Sequence, residues 1–478
     1  MDAFEAVIGL EVHAQLATES KIFATSGTLA GAEPNSHTDP VTLGLPGSLP
    51  VLNKRAVDYA IKLGVAINCE ISKESIFARK HYFYPDLPKG YQISQYDKPI
   101  CIGGHVRIRV KGEEKSIPLT RIHLEEDAGK STHSDTEPVS LVDLNRAGVP
   151  LVEIVSEPVL SSAEEAGAYV RQLRQIVRYL SICDGNMEAG SMRCDANISV
   201  RKIGETELGT KVEIKNLNSF KFIERAIEHE IQRQIAICTQ GGEILQETRL
   251  WDESKGSTRV MRSKEEADDY RYFPDPDLLP LVVDDRWIER IQAGLPELPW
   301  QVYERFKSMY QLDDMLCERL TEEKLTADYY DKAVSAHNNP VSLANWITTE
   351  LFGRLNKEGI EIENCPVSPE NLSSLVKLID DGVISGKIAK SIFDEMFSTG
   401  ASPDTVVKER GLEQLSNEGL LTKVIDEVIA ANPEQVVQYR QGKTKVMGFF
   451  VGQIMKETQG KANPKMVNEL LQKKLSGG

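Results

Sequence analysis

A segment rich in ionisable residues, 121–130, alternates charged and apolar side chains as a β-strand does. Arg121, His123, Glu125 and Asp127 would share one face, opposite Ile122 and Leu124. Because burying unpaired charges is costly, this face does not belong to an apolar core. Two interpretations remain open. The face is either the solvated side of an antiparallel sheet, or the wall of a polar active site that holds a metal and a phosphate.

Other strand-like segments add ionisable side chains in the same alternating pattern. They contribute Glu11, His13, Glu153, Arg193, Asp195, Lys211, Glu213 and Lys215. Oxygen-rich clusters suit magnesium, which often lies between carboxylates and substrate phosphates. A histidine in the cluster makes manganese or zinc conceivable. If the strands bring these residues together, the set supports phosphoryl transfer by positioning and charge neutralisation.

A loop at residues 79–90 interleaves aromatic residues with cations, and its prolines and glycine break regular structure. Such a loop can stack nucleobases and hold phosphates, or it can form an aromatic plug over the core. The candidate binding residues here are Lys80, Tyr82, Tyr84 and Lys89.

The charge of the chain is unevenly distributed. The formal net charge is −16, but residues 436–478 contain eight basic and only two acidic residues. A basic end on an acidic body can hold a phosphate backbone locally. The candidate contacts in this tail are Lys443, Lys445, Lys456 and Lys461.

The remaining composition favours a reduced, cytoplasmic protein that is not embedded in a membrane. Seven cysteines without a Cys-x-x-Cys pair indicate free thiols rather than a zinc site. No apolar run is long enough to cross a bilayer, and no signal peptide is apparent. Phosphate-binding glycine motifs and a nucleophile elbow are also absent from the sequence, so any nucleotide is held by an unconventional site.

The periodicity predicts three domains. Residues 1–293 mix strands with helices, including one that begins at the capping-box sequence Ser162–Glu165 and another from about Phe220 to Ile235. After a proline-marked boundary, residues 294–410 show helical periodicity only. Residues 411–478 form a further helical unit, which is interrupted internally at Asn432–Pro433 and at residues 460–464.

Several long motifs in order identify a resemblance that covers essentially the whole chain. They are IGLEVH (8–13), LPGSLPVLNK (45–54), YFYPD (82–86), HLEEDAGK (123–130), GSMRCDAN (190–197), EIKNLN (213–218) and GFFVGQIMK (448–456). The chain resembles the B subunits of the tRNA-dependent aspartyl/glutamyl-tRNA(Asn/Gln) amidotransferases.

The resemblance implies a specific reaction. Such subunits use ATP to phosphorylate the side-chain carboxylate of Glu-tRNA(Gln) or Asp-tRNA(Asn), and ammonia from a glutaminase A subunit then displaces the phosphate. A C subunit completes a heterotrimer. The implied fold is an α+β, cradle-shaped catalytic domain with a mainly antiparallel sheet, related to glutamine synthetase, followed by two all-helical domains, of which the tail binds tRNA.

From the shared strand faces we predict one magnesium ion that bridges ATP and the substrate carboxylate. Its ligands are Glu11, His13, Glu125 and Glu213. The predicted catalytic residues are Glu125, Glu153, Arg193, Asp195 and Lys215. Many members of the family carry a Cys-Pro-Val-Cys zinc pair where this chain has Asp39–Thr42, so we expect no structural zinc.

Two other classes of function remain as alternatives. One is a tRNA-binding scaffold without catalysis, which would show no ATP turnover even with its partner subunits. The other is a stand-alone metal-dependent ligase for a free small acid, which would work without tRNA. The basic tail disfavours the second, and the carboxylate-rich strands disfavour the first.

Overall fold

The computed structural model describes residues 4–133, 138–263, 269–411, 418–458, 462 and 464–475. The chain divides into two compact units, residues 1–299 and 300–478. Among the described residues, the strands all lie in the first unit. They are β1 Phe4–Gln15, β2 Glu70–Ile71, β3 Glu74–Ser75, β4 Phe77–His81, β5 Tyr91–Gln95, β6 Cys101–Ile102, β7 His105–Val110, β8 Glu113–Glu126, β9 Lys130–His133, β10 Ser140–Asp143, β11 Pro150–Ser156, β12 Met192–Lys202, β13 Val212–Lys215, β14 Glu247–Asp252, β15 Ser257–Ser263, β16 Phe273–Pro274 and β17 Leu281–Val282.

The helices of the first unit are α1 Lys54–Ala66, α2 Ala163–Tyr179, α3 Phe220–Thr239 and α4 Asp285–Ala293. Those that follow are α5 Pro299–Met309, α6 Asp314–Thr321, α7 Lys324–Ala336, α8 Pro340–Trp346, α9 Phe352–Glu358, α10 Pro369–Asp380, α11 Gly386–Thr399, α12 Pro403–Arg410, α13 Glu418–Ala431, α14 Pro433–Arg440, α15 Met447–Glu457 and α16 Pro464–Leu475. This arrangement confirms the prediction of a mixed α/β region followed by a helical one. Within the described part of the chain, no helix combines the length and apolarity needed to span a bilayer.

One large sheet organises the first unit. Its strand order is β15-β14-β13-β12-β1-β11-β8-β6-β2, with β7 paired to β8. The pairs are antiparallel except β13 with β14. β1 lies near the middle, between β11 and β12, so its side chains have strand neighbours on both sides.

The two faces of this sheet differ in polarity because successive side chains point to opposite sides. On β1, Ile8, Leu10 and Val12 are almost completely buried. Helices α2 and α3 pack on the sheet and on each other, and the side chains of Ser162 and Ser219 cap their first turns by accepting from backbone N–H groups. Glu11 and His13 point to the opposite, polar face.

Residues 421–475 contain an apolar core of their own. It consists of Leu421, Ile425, Val428, Phe450, Ile454, Ala462, Val467, Leu471 and Leu475. The division of the helical region at residues 410 and 411 stays a prediction, and this separate core supports it.

Replacement of Phe450 by alanine tests that division. Phe450 is fully buried, whereas the neighbouring Phe449 on the same helix is 39% exposed. We expect Phe450→Ala to destabilise the tail by roughly 3–5 kcal/mol, because it removes an aromatic ring and leaves a cavity. Differential scanning calorimetry should show one low-temperature transition shifted downward and the main transition unchanged.

Phe449→Ala is the matched control and should shift the melting profile much less. A uniform shift of the whole profile by Phe450→Ala would show that the tail does not unfold as a separate unit.

Candidate active site

Two groups of metal-ligand side chains lie on the polar face of the large sheet. The first contains His13, Glu125 and Glu153, and the second contains Glu11, Asp195 and Glu213. In each group, one ligand atom from every residue lies within 4.8 Å of the others. Carboxylate oxygens and imidazole nitrogens at this spacing can hold a divalent cation.

The strand register explains why there are two groups. His13 on β1 lies opposite Glu153 on β11, whereas Glu11 lies opposite Asp195 on β12. Consecutive polar positions of β1 therefore meet acidic partners on opposite sides of the strand. The four residues predicted to share one magnesium ion are divided between the groups: His13 and Glu125 in the first, Glu11 and Glu213 in the second.

Two histidines neutralise the first group. The Nε2 atom of His13 lies 3.4 Å from Glu153 and 3.7 Å from Glu125, and Nε2 of His123 lies 3.1 Å from Glu153. Burial alone would lower the pKa of His13, but the hydrogen bond and charge of Glu153 outweigh it and raise this pKa to about 8. Burial would also lower the pKa of His123, but the charge of Glu153 and hydrogen bonds to Glu125 and Glu153 outweigh it and raise this pKa to about 9. Burial opposes ionisation of Glu153, yet the charge of His123 holds its pKa well below the usual value.

The second group is neutralised by a lysine. The Nζ atom of Lys215 lies 2.5 Å from Asp195 and 2.9 Å from Glu213. Burial would lower the pKa of Lys215, but these two carboxylates raise it. Glu11 accepts a hydrogen bond of 3.0 Å from the Asn197 amide, and burial, followed by the charges of nearby carboxylates, raises its pKa.

A cavity of about 370 Å³ opens over these residues. His13, Glu125, Asp195, Arg193 and Lys215 contribute to its wall, and Lys80 and Tyr82 line it from the β4 side. Glu125 is only 3% exposed. The interpretation of the Arg121–Asp127 segment as a solvated outer face is therefore wrong, because ionisable side chains beside the cavity are buried against one another.

Arg193 is held in place at this wall. Its guanidinium donates to Asp127 Oδ2 at 2.9 Å, and the Gln15 amide donates to the same oxygen at 2.9 Å. Asp127 lies just beyond the end of β8. Its carboxylate therefore orients the arginine and does not belong to either ligand group.

Lys89 and Tyr84 have different surroundings from the cavity residues. Lys89 was predicted to bind substrate, but its Nζ atom lies 2.6 Å from Glu126 and its side chain is only 8% exposed. Glu126 follows Glu125 on β8 and so points to the other face of the strand. Tyr84 is 53% exposed, with its ring 6.0 Å from that of Tyr82.

The tail lysines lie in the second unit. Lys443, Lys445 and Lys456 are exposed, and Lys461 lies outside the described residues. Their predicted contact with tRNA stays a prediction.

Sequence reasoning left some site residues without a role. His123 was recognised on the polar face but not assigned, although it contacts both Glu125 and Glu153; its alternation with Glu125 was the available signal. Asn197 alternates in the same way on β12, beside Asp195. Tyr270 and Tyr272 were also missed. The Tyr270 ring lies 6.1 Å from that of Tyr82, and Tyr272 lies beside Tyr270. They are almost two hundred positions from Tyr82 in the sequence, so no local pattern connects them to it.

The Asp39–Thr42 turn has its own hydrogen-bond network. The Asp39 carboxylate accepts from the backbone N–H groups of Val41 and Thr42, both at 2.9 Å, and from the hydroxyls of Thr42 and Ser26. The carboxylate oxygens of Asp39 already accept these hydrogen bonds, and the turn contains no cysteine thiolate. These residues do not fit a structural zinc ion.

Comparison with known proteins shows the family of the chain. A model described as the GatB/GatE catalytic domain matches residues 6–289, which include both ligand groups. A second model, the GatB domain, matches residues 328–475. The first unit therefore contains a catalytic domain of the GatB/GatE class.

Full-length relatives define the family more narrowly. The chain is 57% identical to a protein of Geotalea daltonii, with 99% of this chain and 100% of the relative covered. It is 56% identical to one of Syntrophotalea carbinolica, with 99% of each covered, and 55% identical to one of Carboxydothermus hydrogenoformans over both full lengths. Each relative is named as the B subunit of an aspartyl/glutamyl-tRNA(Asn/Gln) amidotransferase. The chain belongs to this family.

Proposed function

We propose that the acidic cavity phosphorylates the side-chain carboxylate of glutamate or aspartate misattached to tRNA, and that the same cavity then receives ammonia. A carboxylate oxygen attacks the γ-phosphorus of ATP, and ADP leaves. Ammonia attacks the acyl carbon of the resulting acyl phosphate, the carbon–oxygen bond breaks, and phosphate leaves with one proton. The products are Gln-tRNA(Gln) or Asn-tRNA(Asn). The chain is thus the amidating subunit of an ATP-dependent ligase of carbon–nitrogen bonds.

The observation that carries this proposal is that members of both ligand groups (His13, Glu125 and Asp195) line one cavity together with three cations. The cations are Lys80, Arg193 and Lys215. Phosphoryl transfer depends on positioning and on neutralisation of phosphate charge, which this arrangement suits. A scaffold that only binds tRNA would not require buried carboxylates here, so that alternative is not favoured.

Each ligand group fits one divalent cation, which in the first group would take the place of the proton on His13, and magnesium is the expected ion because five of the six donors are carboxylates. When bound, such cations neutralise phosphate oxygens and align the triphosphate. The protein's own residues supply the rest. Lys80 projects a cation beside Glu125; burial would lower the pKa of Lys80, but the charge of Glu125 outweighs it. Arg193, fixed by Asp127, can orient the substrate carboxylate.

A second cavity, of about 260 Å³, offers a place for the nucleotide. It is lined by Glu11 of the second ligand group, by Lys211, and by apolar residues that include Val7, Val155 and Leu208. We place the base against the apolar wall, with the phosphates directed past Glu11 toward the ligand groups. This position needs no glycine-rich phosphate loop.

We also propose the context in which the chain acts. The relatives are named as one lettered subunit of an amidotransferase, which indicates a complex of several subunits, and we expect a glutaminase A subunit and a C subunit in a heterotrimer. The broad antiparallel sheet with one polar face supports a cradle of the glutamine synthetase type. All seven cysteines are unpaired, which supports a cytoplasmic location. The hydrogen-bonded Asp39 turn supports a chain that folds without zinc.

Glu125→Gln tests the phosphorylation step. The substitution keeps the shape of the side chain but removes one negative charge from the first ligand group. In the assembled complex we expect ATP-dependent amidation of Glu-tRNA(Gln) or Asp-tRNA(Asn) to fall about 100-fold or more, as is typical when electrostatic stabilisation of a transition state is lost. Glutaminase activity should remain, because its chemistry lies on another subunit. Normal amidation by the variant would remove Glu125 from the mechanism.

Metal stoichiometry tests the division into two groups. Isothermal titration with Mn²⁺ should detect two sites in the wild-type complex. Glu153→Gln and Glu11→Gln should each remove or weaken one site, because each takes a charged ligand from a different group. Glu5→Gln, on the same strand but paired with Arg201, is the control and should retain both sites. Loss of all binding in either variant would favour one shared site instead.

The tail lysines test the tRNA contact. We expect Lys443→Ala/Lys445→Ala to weaken tRNA binding and to lower the slope of log affinity against log salt by about 2, because two phosphate contacts are lost. Filter binding at several salt concentrations measures this slope. Lys377→Ala, an exposed lysine on α10, should leave it unchanged. An unaltered slope in the double variant would show that these two lysines do not contact tRNA phosphates.

A further inference from the structure

Five tyrosine rings form a continuous series at the edge of the active-site cavity. Tyr96 and Tyr272 stack in parallel, with ring centroids 4.2 Å apart and planes 4° apart. Tyr272 is followed by Tyr270 at 6.0 Å, Tyr270 by Tyr82 at 6.1 Å, and Tyr82 by Tyr84 at 6.0 Å. The last three contacts are edge-to-face, as aromatic pairs prefer. We call these five rings the tyrosine series.

Three separate segments contribute to the tyrosine series. Tyr82 and Tyr84 follow β4, Tyr96 follows β5, and Tyr270 and Tyr272 precede β16. β4 pairs with both β5 and β16, so backbone hydrogen bonding fixes the relative positions of the three segments.

A further backbone hydrogen bond and two ion pairs reinforce the position of the third segment. The backbone N–H of His81 donates to the Tyr270 carbonyl at 2.9 Å. Arg79 forms ion pairs with Asp275 at 2.9 Å and with Asp277 at 2.8 Å. The rings are thus presented by a paired and ion-bridged surface, which lowers the entropy cost of binding a ligand on them.

The series reaches the cavity at Tyr82, its fourth ring, and its two end rings, Tyr96 and Tyr84, are about half exposed. Tyr82 lines the cavity beside Glu125, and Lys80 lies with its Nζ atom 4.6 Å from the Tyr270 ring centroid. Tyr96 is 50% exposed. A ligand that stacks on Tyr96 and Tyr272 would therefore have the rest of its structure directed along the series to Tyr82, and so toward the cavity and the two ligand groups.

We propose that the tyrosine series binds the unpaired terminal nucleotide at the aminoacylated end of the substrate tRNA. This inference rests on the proposed function, which requires the amino acid to enter the cavity while esterified to that nucleotide. The nucleotide must then lie at the cavity edge, where the rings are. Uncharged rings accept any base by stacking and need no complementary phosphate contacts, which suits an acidic chain. Lys80 adds one cation next to the sugar-phosphate linkage.

Tyr272→Leu and Tyr272→Phe form the matched pair that tests the proposal, each in the complex assembled with its partner subunits. Leucine removes the stacking face, whereas phenylalanine keeps the ring and should restore wild-type behaviour. We expect Tyr272→Leu to raise the KM for Glu-tRNA(Gln) or Asp-tRNA(Asn) by about 5-fold or more, the range typical of one lost base–aromatic stack. The KM for ATP and the kcat at saturating tRNA should change little.

A binding experiment identifies the nucleotide. Wild-type complex should bind uncharged tRNA more tightly than the same tRNA lacking its terminal adenosine, and Tyr272→Leu should bind the two almost equally. If Tyr272→Leu does not assemble, Tyr96→Leu replaces it, because this ring is half exposed and its loss disturbs less packing.

Two outcomes would overturn the inference. One is a rise in the KM for ATP rather than for tRNA, which would make the series a site for the ATP base. The other is undiminished discrimination between the two tRNAs by both leucine variants. Either result would leave amidation by the wild-type complex intact, whereas failure of the proposed function would show as no wild-type amidation at all.

Discussion

The need to neutralise several buried carboxylates on one sheet face governs the structure around the site. Like charges at this spacing repel strongly in a medium of low dielectric constant, so cations must lie among them. His13 and His123 serve Glu125 and Glu153, and Lys215 serves Asp195 and Glu213. The opposite face of the same strands supplies the apolar packing with α2 and α3. The sheet is therefore stabilised by charge pairing on one face and by hydrophobic burial on the other.

Much of the fold could be predicted from local patterns. The period of two placed Glu11 with His13 and Arg193 with Asp195 on shared faces, and the capping-box sequence at Ser162 located the start of α2. The helical character of the second unit was equally readable from periodicity. These features depend on residues within a few positions of one another, which is the range over which sequence patterns are informative.

The grouping of the site residues could not be predicted, because it depends on the register between distant strands. No local sequence pattern indicates that Glu11 lies opposite Asp195 on β12 while His13 lies opposite Glu153 on β11. Lys89 shows the same limit: the loop sequence indicated a cation for substrate, but its partner is decided by Glu126, which faces away from the cavity. The contribution of Tyr270 and Tyr272 is likewise visible only after β16 pairs with β4.

The central position of β1 has a consequence for biosynthesis. β1 is synthesised well before its partners, because Val155 and Asp195, which lie opposite Glu11, come more than a hundred residues later. At typical elongation rates the strand waits on the order of tens of seconds with both edges open. An unpaired strand of this length is prone to associate with other chains. Until β11 and β12 have both been synthesised, β1 has neither of its neighbours in the sheet, so the two ligand groups cannot form.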